Sequence, residues 1–162
     1  PKAPVKAADF ADPAIRARAM KVVLYTTSNV SSLTQYGAIG ALEGSQACID
    51  EYRTELGIRR DLFYDGVADA APGILSGHPP AGAFYAFLRI NPHWVKTAGL
   101  PGESVSWAMA EHLIKGARIG CVPGVDFGQA SEGYLRFCTC RSREELTGAL
   151  ASMKALFASA RV

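Results

Sequence analysis

The sequence contains no run of like charge, no long apolar stretch and no cluster of histidines, and each absence removes a class of function. Its 17 basic and 15 acidic residues are scattered over 162 positions and leave a net charge of only +2, so no basic stripe marks a nucleic-acid surface. No apolar run approaches the roughly 18 residues that span a bilayer, and the N-terminus lacks the charged-then-apolar layout of a secretion signal. A soluble, cytoplasmic chain with neither nucleic acid nor membrane as partner is expected. Cys48, Cys121, Cys138 and Cys140 are too few and too irregularly spaced for a disulfide framework; reduced thiols in the core are the expectation. Cys138-x-Cys140 puts two sulfurs on one strand face but has no second pair or histidine beside it, so no metal site is expected. His78, His93 and His112 stand apart at loop or surface positions. The first residue is Pro1 and not methionine, which suggests a processed, truncated or partly observed chain.

A composition 49% hydrophobic and 20% charged suits one ordinary core. Pro1, Pro4, Lys2 and Lys6 among alanines up to Asp12 favour an irregular arm. Asp12-Pro13 is an N-cap followed by proline in the first turn, and opens a helix from about Pro13 to Leu24. Thr26 to Asn29 forms a turn. A short helix through Leu33, Tyr36, Ala38 and Ile39 then ends at Gly44. Ser45 caps a longer one in which Cys48, Tyr52, Leu56, Phe63 and Val67 share a face. Arg53, Arg59, Arg60 and Asp61 lie on its other side, where Arg59-Arg60 reads as a solvated face.

After the turn-rich stretch Pro72 to Pro80, Ala83 to Ile90 is aromatic and apolar enough for a strand, ended by Asn91-Pro92. A helix from Ser104 to Lys115 carries Trp107, Ala110, Leu113 and Ile114 as its core stripe, with Gly116 placed for a left-handed cap. Ala117 to Val122 reads as a short strand stopped by Pro123-Gly124. Gly133 to Cys140 alternates, with Tyr134, Arg136, Cys138 and Cys140 on one face and Leu135, Phe137 and Thr139 on the other. Ser142 and Glu145 make a capping box for a last helix through Leu146, Ala149, Leu150, Met153 and Phe157. The order predicts an α/β (α+β) domain: a small mixed or antiparallel sheet of about three to four strands covered by helices.

The segment Cys121 to Gly128, leading to the strand with Arg136, concentrates the chemistry. Gly124 and Gly128 permit positive φ and close backbone approach, Pro123 stiffens the turn, and Phe127 sets an apolar side chain at the loop edge. Arg136 presents a planar fork suited to a carboxylate held by two hydrogen bonds. The same spacing also suits a β-turn followed by an arginine paired to a structural Asp or Glu.

Thr27-Ser-Asn-Val-Ser-Ser-Leu-Thr-Gln35 with Ala41-Leu42, then Tyr52 and Arg59-Arg60-Asp61, Pro80-Ala-Gly-Ala-Phe-Tyr85, Val122-Pro-Gly-Val-Asp-Phe-Gly128 and Gly133-Tyr-Leu-Arg136 together resemble the ordered motifs of class I/II, fold-type I aminotransferases, in their C-terminal, small-domain region. The resemblance runs from about Thr26 to the C-terminus. It implies residues 1–25 as an arm and helix leading from a preceding large domain, and 26–162 as the C-terminal domain. It implies a parent enzyme that uses pyridoxal phosphate to move an amino group between an amino acid and a 2-keto acid, and that works as a homodimer.

By the same resemblance Arg136 holds the substrate α-carboxylate, Phe127 and Gly124 border the substrate, and Thr27, Ser28 and Asn29 lie near the neighbouring subunit's site. A lyase or synthase on the same frame, the effector module of a transcription regulator, and a structural or dimerisation domain are the competing expectations. Lys2, Lys6, Lys21, Lys96, Lys115 and Lys154 all lack the setting of the family's cofactor lysine, so this chain alone is expected to be inactive, with no covalently held cofactor. Incubation with pyridoxal phosphate followed by borohydride should fix no single stoichiometric adduct; one lysine labelled to completion would refute the expectation.

Overall fold

The computed structural model describes residues 12–159; the expected irregular arm falls almost wholly outside them. The chain divides into two compact units, Pro1–Ala47 and Cys48–Val162.

The first unit holds helices α1 (Pro13–Thr26) and α2 (Ser32–Glu43). Asp12 caps α1 as its sequence demands, its carboxylate accepting from the Ala14 N–H at 2.8 Å. Thr27 closes the helix, and Ser28 takes a left-handed φ of 58° that turns the chain. No residue of either helix is buried, although Val22, Leu24, Leu33, Tyr36 and Leu42 are large apolar side chains. Helices of 14 and 12 residues are marginal when packing does not support them.

The second unit is built on helix α3 (Ala47–Ala70), strands β1 (Leu75–Ser76) and β2 (Tyr85–Ile90), helices α4 (Pro92–Thr97) and α5 (Val105–Ala117), strands β3 (Val122–Pro123) and β4 (Tyr134–Cys138), and helix α6 (Arg143–Ser159). The sheet is antiparallel throughout, in the order β1-β2-β4-β3, as expected. Its two central strands alternate: Ala86, Leu88, Ile90, Leu135 and Phe137 are buried, while their neighbours face outward. The buried face meets Phe63 and Val67 of α3, Met109 and Leu113 of α5, and Leu146, Leu150, Met153 and Phe157 of α6. Each such side chain contributes roughly 1.5–3 kcal/mol by leaving water.

Helix α6 begins on the expected capping box. The Ser142 N–H donates to Glu145 Oε2 at 3.1 Å, and the Glu145 N–H donates to Ser142 Oγ at 3.2 Å. It lies close to its neighbours because glycines make room. A Cβ on Gly66 would stand 2.3 Å from Leu150 Cδ1, and one on Gly116 2.5 Å from Leu156 Cδ1. Glu55, within α3, ties that helix to the start of α6, bonded to Arg59 Nε at 2.7 Å and to the Arg143 guanidinium. Hydrogen bonds from Arg143 and then Arg59 hold its carboxyl at about 2.

Several expectations are corrected. Gly116 is not the cap of α5: Arg118 takes the left-handed conformation, φ 57°, and its N–H returns to the Leu113 carbonyl. That reversal ends the segment expected to be a strand, and only Val122 and Pro123 pair with β4. The core stripe of α5 is Ser106, Met109, Ala110, Leu113 and Ala117, whereas Trp107 is 48% exposed. Cys48 and Tyr52 on the first turns of α3 are exposed, and the buried stripe begins further along at Phe63. Arg59 and Arg60 are not a merely solvated face, since they also bond the Cys140 and Pro80 carbonyls at 3.1 and 3.0 Å. Among the cysteines, Cys48, Cys138 and Cys140 are exposed and only Cys121 is half-buried, its thiol pushed up to about 12 by burial.

The polar centre of this unit is Glu132. Its carboxylate sits at the N-terminus of α5, accepting from Ser104 Oγ at 3.2 and 3.0 Å and from the Ser106 N–H at 3.0 Å. Ser106 Oγ, fully buried, accepts in turn from the Gly133 and Tyr134 N–H groups at 2.9 and 3.3 Å. The start of β4 is thereby fixed to the start of α5. Burial acts to raise the Glu132 carboxyl, but hydrogen bonds from Ser106, Ser104, Gly133 and Val105 outweigh it and hold the group below its ordinary 4.5.

Two pH limbs follow. The contribution of Glu132 is present above 4.5 and is lost as pH falls below it. Glu132→Gln should cost about 1–3 kcal/mol near neutral pH and flatten the acid limb in urea melts; an unchanged limb would refute the role. His112, expected at a loop or surface position, is instead half-buried on α5, and it behaves oppositely in charge. Its Nε2 is buried without a hydrogen-bond partner among the described residues, the ring lies 5.9 Å from Trp94 and 6.2 Å from Phe157, and burial lowers its pKa below 6.5. The unfolded state takes up a proton first, so stability falls as pH drops through 6.5. In His112→Phe the urea midpoint should lose that dependence, and a dependence kept in full would assign it to other groups.

Candidate functional site

The outward face of the central strands carries Tyr85 and Phe87 from β2 and Tyr134, Arg136 and Cys138 from β4. The antiparallel register sets Phe87 opposite Arg136, Tyr85 opposite Cys138 and Arg89 opposite Tyr134. Strand alternation forces this arrangement: with Leu135 and Phe137 in the core, Arg136 between them must point the other way.

Beyond β3 the chain makes two short turns of 3-10 helix, Gly124–Phe127 and Gln129–Ser131. Gly128 between them has φ 115°, a conformation reserved for glycine. Gly124 serves the other purpose expected of it, close approach: a Cβ there would stand 2.3 Å from the Ser131 carbonyl oxygen and 2.8 Å from Tyr134 Cβ. The folded loop delivers Phe127 to the sheet's outer face, 48% exposed and edge-on to Phe87 at 6.5 Å. Phe87 itself stacks on Tyr134, with centroids 5.0 Å apart and planes 5° apart.

Arg136 stands within this aromatic layer. Its Cζ lies 4.4 Å from the Tyr85 ring centroid and 4.3 Å from that of Phe127, both within reach of a cation–π attraction. None of the ion pairs among the described residues includes Arg136. The alternative of an arginine paired to a structural carboxylate is therefore not what the fold builds. Two of the expected substrate-side residues, Arg136 and Phe127, are brought together, and Gly124 shapes the loop that brings them. Thr27, Ser28 and Asn29 belong to the first unit, exposed at the end of α1. Tyr85 entered the sequence reading only as the last residue of the Pro80–Tyr85 motif and not as a site residue; the alternation of β2 puts it on this face.

The described lysines of the second unit do not fit the role of a cofactor anchor at this face. Lys96, Lys115 and Lys154 are helical, and the last two are paired to Glu111 and Asp69 at 2.6 and 2.7 Å. Cofactor-holding residues are thus not found beside Arg136 among the described residues.

No protein-family model matches the chain. It is 34% identical over 138 residues to the probable aspartate aminotransferase of Methanocaldococcus jannaschii, covering 85% of this chain and 33% of that protein. It is 35% identical over 133 residues to the aromatic-amino-acid aminotransferase 2 of Thermococcus litoralis, covering 81% of this chain and 31% of that one. The crystal structure of the aromatic aminotransferase from Pyrococcus horikoshii superimposes with a TM-score of 0.75 at 31% identity, over 90% of this chain and 36% of that chain. The chain thus spans about a third of the length of the relatives it matches. With an antiparallel four-stranded sheet flanked by helices and these likenesses in both sequence and structure, the chain belongs to the fold-type I, pyridoxal-phosphate-dependent aminotransferase family, of which it is a segment the size of the C-terminal domain.

Proposed function

We propose that the parent protein is a pyridoxal-phosphate-dependent aminotransferase that moves an amino group between an amino acid and a 2-keto acid, and that this chain supplies the arginine that grips the substrate α-carboxylate. The observation that carries the reading is the state of Arg136. Its guanidinium is steadied by the Tyr85 and Phe127 rings at 4.4 and 4.3 Å, while no described carboxylate takes up its N–H donors. A planar fork oriented in this way and left unpaired matches a carboxylate through two parallel hydrogen bonds. The aromatic rings also reduce water's access to the ion pair that a substrate would form.

On this reading Phe127 borders the substrate and the turns from Gly124 hold it there. Amino-group transfer needs an electron sink, which pyridoxal phosphate supplies; its anchor is assigned to a part of the parent other than these residues. A homodimer in the parent is part of the same reading, with Thr27, Ser28 and Asn29 near the neighbouring subunit's site. Both amino and keto substrates carry the carboxylate that Arg136 would hold, so one site serves both halves of a ping-pong reaction.

The test is Arg136→Lys in the full-length parent. Charge is kept and the fork is lost, so kcat/KM should fall by about 1.5–3 kcal/mol for each charged hydrogen bond lost, or roughly 10- to 100-fold. Wild-type kinetics in the variant would show that the arginine does not hold the substrate.

A further inference from the structure

The outward face of β4 ends in a feature that carboxylate binding does not use. Cys138 and Cys140 are both exposed, and their sulfurs lie 3.0 Å apart. Two residues separated by one in an extended strand do not ordinarily meet in this way. Here the chain leaves the strand after Cys138, and its backbone is fixed on both sides of the bend. The Thr139 N–H and Oγ1 both donate to the Phe84 carbonyl, at 2.9 and 3.0 Å, and Thr139 is 1% exposed. The Cys140 carbonyl accepts from Arg59 Nη1 at 3.1 Å. A backbone tied on both sides thus holds the two thiols in contact, the arrangement from which a disulfide can close.

A metal is the less fitting occupant. Among the described residues no group of three or more His, Cys, Asp or Glu side chains converges to hold one, and a structural zinc site asks for four ligands. What a lone, preorganised and exposed dithiol does well is exchange. The hydrogen bond with Cys138 raises the Cys140 thiol above its ordinary value, a sign that the two sulfurs are in direct contact.

We propose that Cys138 and Cys140 form a thiol–disulfide exchange site that closes into an intrachain disulfide at the expense of small-molecule disulfides of the glutathione type. One cysteine sulfur loses its proton and attacks a sulfur of the oxidised molecule, forming a mixed disulfide and expelling one thiolate, which takes up that proton. The second cysteine sulfur then attacks the protein-bound sulfur of the mixed disulfide. The Cys138–Cys140 bond forms, the bond to the small molecule breaks, and a second thiol leaves with the second proton. Two electrons pass from the pair to the oxidant, and the balance is two protein thiols and one disulfide giving one protein disulfide and two small thiols. The short separation keeps the mixed disulfide transient, because the resolving sulfur is already in contact.

The pair lies between Arg136 and Arg141, so trypsin releases both cysteines in one peptide, Phe137–Arg141. The native protein is equilibrated with glutathione buffers of rising oxidised fraction, alkylated, digested and read by mass spectrometry. The expected result is that this peptide loses both alkylatable thiols, gains no glutathione and recovers both thiols on reduction. Cys138→Ser and Cys140→Ser, each altering one exposed position, should instead retain glutathione on the remaining sulfur. A wild-type peptide that stays fully alkylatable under oxidising buffers, or that carries glutathione as stably as the single variants do, would overturn the proposal. The wild-type measurement decides the matter even if a variant fails to fold.

Discussion

The carboxylate of Glu132 is the constraint on which the site's geometry depends. Helix N-termini leave N–H groups without partners, and a carboxylate placed there answers both the donors and the helix dipole. Glu132 does this for α5 from outside the helix, bonding Ser104 and Ser106. Ser106 then uses its buried hydroxyl to take the first two N–H groups at the entry to β4. One cluster of hydrogen bonds therefore sets where the loop ends and where the strand begins. Arg136 lies two residues beyond Tyr134, and its outward direction follows from that starting point by strand alternation alone.

Much of this was legible in the sequence because the signals were local. Asp12-Pro13 marked α1, Ser142 and Glu145 capped α6, and the alternation from Gly133 told the inner from the outer face of β4. What was missed depends on contacts far apart in the chain. Helix α4 begins at Asn91-Pro92 with the same cap logic as Asp12-Pro13, the Asn91 side chain accepting from the His93 N–H at 3.0 Å, but its six residues are too few for periodicity to show. Gly116 looked like a cap because glycine favours left-handed backbone; its real service is to make room for Leu156, 40 residues away in the chain. In α5 the expected stripe held for Ala110 and Leu113 but not for Trp107 and Ile114, which are 48% and 54% exposed while Ser106 and Met109 are buried.

Within the site, Arg136 was legible as a residue and illegible as an environment. Its strand position and the resemblance singled it out, and Phe127 with it. The aromatic clip that Tyr85 and Phe127 form about Arg136 depends on Tyr85, which stood in a quoted motif but reaches the arginine only through the pairing of β2 with β4. Cys138 and Cys140 are a related case. A strand running on to Cys140 was expected, but β4 ends at Cys138, and the sulfurs meet at 3.0 Å where Thr139 is tied to Phe84 and Arg59 to the Cys140 carbonyl.

The clip also explains why the face can hold a cation without a counter-charge of its own. A structural carboxylate beside Arg136 would form a charged pair, but it would use the same N–H donors that a ligand needs. Aromatic faces attract the guanidinium by about 0.5–2 kcal/mol, depending on how far it is desolvated, without accepting conventional hydrogen bonds from its N–H groups. The donors stay free of any carboxylate among the described residues. An ammonium has no such division between faces and edge, so lysine could be held by the rings or could bond a carboxylate, but could not present two parallel donors while stacked. Tyr85 stands on one strand and Phe127 on a loop whose end is anchored through Glu132, so the guanidinium is held between two parts of the chain. Two-point carboxylate recognition requires a fork held in place, and the rings hold it without consuming the charge.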